Sequence, residues 1–160
     1  MMKLIRALAP YFILIGLVVL IRFFIVTPVR VNGVSMEATM SNGDVLLLHK
    51  LHGQINRFDI VVVNLEDQRV VKRVVGMPTE TIRYEDNLLY VNEELVEDDY
   101  FIGETFDFTV DFIPEDHYFV LGDNREDSLD SRIVGMINRS DIIGKTRLRI
   151  YPFNNLGPIG

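Results

Sequence analysis

Residues 7–29 are apolar except for Arg22 and Thr27, and a run of that length narrows the folds open to a chain of 160 residues. A helix that crosses the hydrocarbon layer of a bilayer needs roughly 20 residues, and 11–26 with its flanks supplies them. Lys3, Arg6 and the amino terminus precede the run, which favours a cytoplasmic N-terminus. Arg22 lies near the far end, where its aliphatic stem can carry the charge out to the headgroups. A cleaved signal peptide would need a shorter run and a small-x-small site, yet 23–28 reads Phe-Phe-Ile-Val-Thr-Pro. A core helix apolar on every side is unusual in so small a protein, and an organellar targeting segment would be rich in Arg and Ser. The expectation is one uncleaved span anchored in a lipid bilayer at 7–29, with 1–6 in the cytoplasm and 30–160 outside it.

Beyond Pro28 the pattern changes from helical length to short β-branched runs separated by turn formers. Residues 45–48, 58–63, 69–75, 117–121 and 147–151 read as strands. Residues 81–84 and 88–91 flank Glu85-Asp86-Asn87 as a hairpin, and Asn42-Gly43-Asp44 marks another turn. From 106 to 112, Phe106, Phe108, Val110 and Phe112 alternate with polar residues, the signature of a strand with one buried face. The acidic run 93–99 suits a solvated loop or edge. No long helical period is found after the apolar run, so the fold class expected is mainly β: an all-β core behind a single N-terminal helix.

Composition closes several functional classes. The formal charge is −7 with no basic block, which argues against nucleic acid. Absence of cysteine removes disulfides and thiolate chemistry. His49, His52 and His117 have no partners at metal-ligand spacing, so neither a metal nor a cofactor is expected.

Three stretches could carry chemistry. The first, Val31-Asn32-Gly33-Val34-Ser35-Met36-Glu37-Ala38-Thr39-Met40, sets a serine just beyond the apolar run. Ser35 lies about ten residues past the end of that run, hence at most about 35 Å from a membrane surface. The second is Lys72, set among Val70, Val71, Val74 and Val75. Lys72 shares a face with Val70 and Val74, Arg73 with Val71 and Val75. Either both basic residues snorkel from an edge strand, or one amine is buried. A buried lysine loses proton affinity and can then take a proton from a serine hydroxyl. The third is the loop from Leu121 to Arg132, where Asp130 and Arg132 can pair and Ser128 can orient a neighbouring amine.

Together these stretches resemble the type I signal peptidases, membrane-bound Ser/Lys proteases, over nearly the whole chain. The order is shared: a span, Gly33-Val34-Ser35-Met36, Gly43-Asp44-Val45, Val71-Lys72-Arg73-Val74-Val75-Gly76, then Gly122-Asp123-Asn124-Arg125, Ser128 and Asp130-Ser131-Arg132. The single span and the ending Arg149-Ile150-Tyr151-Pro152-Phe153 look like the Gram-positive branch. The resemblance implies Ser35 as nucleophile, Lys72 as general base, Ser128 as a hydrogen-bond partner of the lysine, and Asp130 with Arg132 as a structural pair. It implies an oxyanion hole built on the Ser35 backbone N–H, since Gly33 stands where many relatives carry a hydroxyl. It also implies a smaller inserted region at about 82–115, and Val31, Met36, Met40, Val70 and Val71 lining apolar pockets. Those pockets would accept small residues at −1 and −3 of signal peptides on exported preproteins, bound as an added strand. Two departures stand out: Ala38 replaces the family's proline, and 77–80 reads Met-Pro-Thr-Glu where relatives carry Gly-Asp. Two other classes compete. A non-catalytic relative acting in binding or assembly would lack Ser35 or Lys72, and a self-cleaving repressor would carry a DNA-binding domain in place of the span.

Overall fold

The structure, a computed structural model, describes residues 2–50, 53–65 and 68–159; His52 lies outside them, as do the side chains of Lys3 and Arg6. Helix α1 (Met2–Phe24) is followed at once by strand β1 (Val26–Arg30). The helix therefore ends earlier than the apolar run, because Val26, Thr27 and Pro28 pair in extended form with the next strand. The described side chains of α1, at 8, 10–20 and 22, are exposed, and those at 2–7, 9, 21, 23 and 24 fall outside the description. Among the described residues no helix is long and apolar enough to cross a membrane.

The remaining strands are β2 (Val45–His49), β3 (Ile60–Leu65), β4 (Gln68–Gly76), β5 (Ile82–Glu85), β6 (Leu88–Val91), β7 (Glu94–Val96), β8 (Phe108–Val110), β9 (His117–Leu121), β10 (Ile137–Asn138), β11 (Ile142–Tyr151) and β12 (Gly157–Pro158). A one-turn helix, α2 (Ser131–Val134), precedes β10. The strands form two antiparallel sheets. The larger runs β1-β2-β11-β3-β4-β9-β10, with β12 added to β11; the smaller runs β7-β6-β5-β8.

The β5–β6 hairpin turns on Asp86 and Asn87, both at positive φ, the backbone that a two-residue hairpin loop of opposite twist requires. The acidic run contributes β7, an edge strand, where carboxylates stay hydrated. The alternating stretch 106–112 is a strand only over Phe108–Val110. Phe106 and Phe112 are 64% and 55% exposed, so alternation there overstates the paired length.

Strand β4 decides the placement of the site. It lies between β3 and β9, inside the large sheet, so Lys72 and Arg73 do not snorkel from an edge: they are 2% and 1% exposed. Three apolar clusters surround this strand. Val71 belongs to one with Val31, Met36, Met40, Leu46 and Leu48, Val74 to a second, and Val75 to a third that joins the small sheet to the large.

Candidate active site

The nucleophile candidate stands on a turn pinned from both ends. Before it, Val31 N–H donates to Asp44 O (2.8 Å), Gly43 N–H to Val31 O (2.9 Å) and Gly33 N–H to Asn42 Oδ1 (3.1 Å). The chain enters the turn through Gly33 at φ +106°, a backbone that glycine adopts without a Cβ penalty. After it, Glu37 N–H donates to Val34 O, and the N–H groups of Thr39 and Met40 donate to Met36 O. Met36 and Met40, four residues apart, are therefore on one side of the turn, and both are buried in the apolar cluster with Val31 and Val71. The methionines hold the turn down by burial, worth roughly 1.5–3 kcal/mol for each side chain.

Ser35 and Lys72 meet: Nζ of Lys72 lies 2.8 Å from Oγ of Ser35. Burial is the largest influence on the amine and pulls its pKa from 10.5 down to about 8, with Arg132 adding to the fall and Asp130, Asp123 and Asp127 opposing it. Asp130 and Arg132 form a close pair, Nε to Oδ1 at 2.9 Å and Nη2 to Oδ2 at 2.8 Å. Burial acting alone would raise the Asp130 carboxyl, but the hydrogen bonds from Arg132 and from Gly122 N–H outweigh it and hold the carboxyl below its usual range. Ser128 Oγ is buried beside this group and also acts to lower the Asp130 carboxyl, while among the described residues no hydrogen bond joins it to Lys72.

The loop after β9 packs directly on Ser35. Asn124 N–H donates to Ser35 O (3.0 Å) and Asn124 Nδ2 to Val34 O (3.3 Å). Gly122 is required here by contact: a Cβ at that position would lie 2.4 Å from Ser35 O and 2.2 Å from Ser128 Oγ. The loop is fixed from behind by Arg125, whose guanidinium contacts Asp98 (2.6 Å), Thr105 Oγ1 and Gly122 O, and by Ile102, which bonds to Asp123 and Arg125. Residues 98–105 lead into the small sheet, which thereby braces the loop.

Residues 4–151 match the family described as signal peptidase, peptidase S26. The chain belongs to the signal peptidase family. It is 34% identical to signal peptidase I of Streptococcus pneumoniae, across 92% of this chain and 93% of that protein. It is 36% identical to signal peptidase I S of Bacillus subtilis, across 90% and 87%. A crystal structure of a signal peptidase I from Enterococcus faecalis is similar at a TM-score of 0.54 and 35% identity, covering 58% of this chain and 97% of that one. Membership makes this protein a peptide-bond hydrolase of the serine protease class.

Of the pocket residues expected for a signal peptidase, Val31, Met36, Met40 and Val71 come together, but as buried members of one core cluster. Val70 is half-buried and packs against a different cluster. Sequence reasoning passed over the charged residues that tie the site together. Arg73 grips Asp123 with Nε and Nη2 at 2.8 and 2.7 Å and lies 3.9 Å from the Tyr100 ring centre. Arg149 bonds Thr39 O at 2.6 Å and pairs with Asp44 at 2.9 Å. The signal available was a second basic residue in a valine strand and Arg149 beside Arg147 in the long strand β11. Their partners lie too far along the chain to be guessed.

Proposed function

We propose that this protein removes signal peptides from exported preproteins, with Ser35 as nucleophile and Lys72 as general base. The observation that carries the reading is the 2.8 Å approach of Lys72 Nζ to Ser35 Oγ by an amine that is 2% exposed. In the charged form Lys72 donates to Oγ; in the neutral form the hydroxyl donates to Nζ, and the serine is ready to attack. Oγ adds to the scissile carbonyl carbon as its proton passes to Nζ. The resulting ammonium protonates the leaving amine, and the acyl group stays on Ser35. Neutral Lys72 then takes a proton from water, the hydroxide displaces Ser35, and the hydroxyl is restored. Developing negative charge on the carbonyl oxygen is met by the Ser35 backbone N–H, a kind of donor worth roughly 3 kcal/mol in other hydrolases.

In this proposal the substrate carries small residues at −1 and −3 and binds as an extended strand. Helix α1, with Leu14, Ile15, Leu17, Val18, Val19 and Leu20 exposed, is the membrane anchor within 7–29. Residues 1–6 are cytoplasmic, and 30–160 form the extracytoplasmic catalytic domain with 82–115 as its smaller inserted region. Supporting roles fall to Ser128, Asp130 and Arg132. No metal or cofactor enters the chemistry. The test is cleavage of a reporter preprotein by detergent-solubilised full chain beside Ser35→Ala and Lys72→Ala. Both variants are expected to keep the unsubstituted protein's circular dichroism and to lose cleavage. Near-full processing by either one overturns the dyad.

A further inference from the structure

We propose that Thr39 is a positioning residue for the nucleophile, closing a ring of hydrogen bonds that holds Ser35 at its distance from Lys72; the inference rests on the Ser35–Lys72 reading above. Every hydrogen-bonding group of Thr39 has a partner. Its hydroxyl donates to Asp123 Oδ2 (2.5 Å) and accepts from Arg73 Nη2 (3.1 Å). Its carbonyl accepts from Arg149 Nη2 (2.6 Å) and its N–H donates to Met36 O (3.1 Å). The next residue after Asp123 is Asn124, whose N–H holds Ser35 O. A closed circuit therefore runs from Ser35 along the turn to Thr39, through the hydroxyl to Asp123, and from Asn124 back to Ser35. Arg73 joins the circuit to β4, and Arg73 is the neighbour of Lys72. The nucleophile's turn, the nucleophile's carbonyl and the strand of the base thus meet at a single hydroxyl.

Ala38 explains why this tether is needed. Its φ is +88°, which a proline ring, locked near −65°, cannot take. An alanine adopts it only when its surroundings enforce it. Ala38 sits exposed in a conformation that the backbone alone disfavours. Thr39 supplies the constraint one residue later.

A merely structural threonine would satisfy Asp123 and affect stability alone; a positioning threonine affects kcat. The test measures kcat and KM of the full chain in detergent, below the melting temperature of each variant, on a reporter preprotein with alanine at −1 and −3. Thr39→Val removes both hydroxyl bonds at constant shape and is expected to lower kcat on the order of 10–100-fold, since displacements near 1 Å cost that much. KM should stay within about twofold, the pattern of an interaction expressed only in the transition state. The pH at which the rate levels off should not move, because Asp123, which acts on the Lys72 pKa, keeps Arg73. Thr39→Ser retains the hydroxyl and should restore most of kcat. If Thr39→Val does not fold, Thr39→Ala, with room for a water under Arg73, takes its place with the same expectation. A normal kcat in the hydroxyl-free variant, a loss confined to KM, or equal impairment of Thr39→Ser overturns the proposal. Ser35→Ala in the same assay separates the two levels: if it cleaves, the dyad itself is wrong, whereas if it is inactive while Thr39→Val is normal, only the tether is wrong.

Discussion

Replacing Gly122 with alanine adds one methyl group and removes no polar atom, so any loss of rate is a loss of geometry. The new Cβ would sit 2.4 Å from the carbonyl oxygen of Ser35 and 2.2 Å from Ser128 Oγ. The Ser128 hydroxyl can rotate away, but its Cβ, 2.6 Å from the new methyl, cannot. The carbonyl is main chain and is held at 3.0 Å by Asn124 N–H, so Ser35, the proposed nucleophile, must move by about 1 Å to restore ordinary contact. A misplacement of that size costs on the order of 100-fold in rate, equivalent to about 2.7 kcal/mol in the barrier. Gly144→Ala is the control, because its Cβ would meet His49 O at 2.5 Å and Leu48 Cδ1 at 2.9 Å, away from Ser35. Both variants should lose about 1–3 kcal/mol of stability by overpacking. Only Gly122→Ala should lose kcat when each is assayed on a reporter preprotein below its own melting temperature. A kcat for Gly122→Ala within about threefold of the unsubstituted protein, or equal losses in the two variants, would refute the placement of this loop against the nucleophile.

In the proposed mechanism Lys72 is a neutral base, and with its pKa near 8 kcat/KM should climb roughly 50-fold from pH 6 to 8 and then level off. A profile still rising steeply through pH 9 would mean that the amine is not desolvated. Lys72→Met should abolish cleavage yet raise the melting temperature at pH 7. The folded pKa lies below the unfolded value, so below pH 8 the folded state carries the full cost of a buried charge, and it recovers that stability as pH rises from about 8 to 10.5. The gain at pH 7 should be roughly 1–3 kcal/mol and should shrink toward pH 10.5 in thermal melts. Asp130→Asn removes a charge that raises the lysine and leaves Arg132, which lowers it. The bend in the rate profile should move below pH 8, with a stability loss of about 3–5 kcal/mol from breaking a buried pair; a bend moving upward would contradict the electrostatic assignment.

How far the sequence could be read depended on whether the information was local. Alternation in 69–75 and the Asp86-Asn87 turn are local signals, and they correspond to β4 and to the β5–β6 hairpin. The same alternation overextended β8, because periodicity reports which face could be buried and not whether a partner strand continues beside it. The apolar run likewise overshot α1, since Val26 and Val29 serve β1 as well as they would serve a helix. Strand order was not legible: β11 inserts between β2 and β3 from almost a hundred residues away. Neither was the arginine scaffold. Thr39 and Asp123 are 84 residues apart, and Arg149 reaches Thr39 across 110, so only the topology makes them neighbours. Lys72 was half legible, because its setting among valines predicted either a buried amine or an edge, and the interior position of β4 decides between them.

The charges around Lys72 bear on how its amine can give up a proton near pH 8 although three carboxylates favour the ammonium. Asp130, Asp123 and Asp127 all favour the ammonium form, and a free carboxylate in contact with Nζ would pair with it and end its use as a base. The two carboxylates that are buried are each engaged by an arginine: Asp130 by Arg132, and Asp123 by Arg73. Arg132 lowers the proton affinity of Lys72 and so offsets part of the effect of Asp130, and burial outweighs what remains. Asp127, which no arginine among the described residues engages in this way, is exposed, where water screens it. In the proposed mechanism the ion pairs serve the chemistry as well as the fold, since they hold the aspartates that shape the loop without leaving either one free to pair with the ammonium. A variant that kept both loops in place but freed a carboxylate, such as Arg132→Met, should shift the rate profile to higher pH, the opposite of Asp130→Asn. Opposite displacements from the two halves of one ion pair would be hard to obtain from a loss of structure alone.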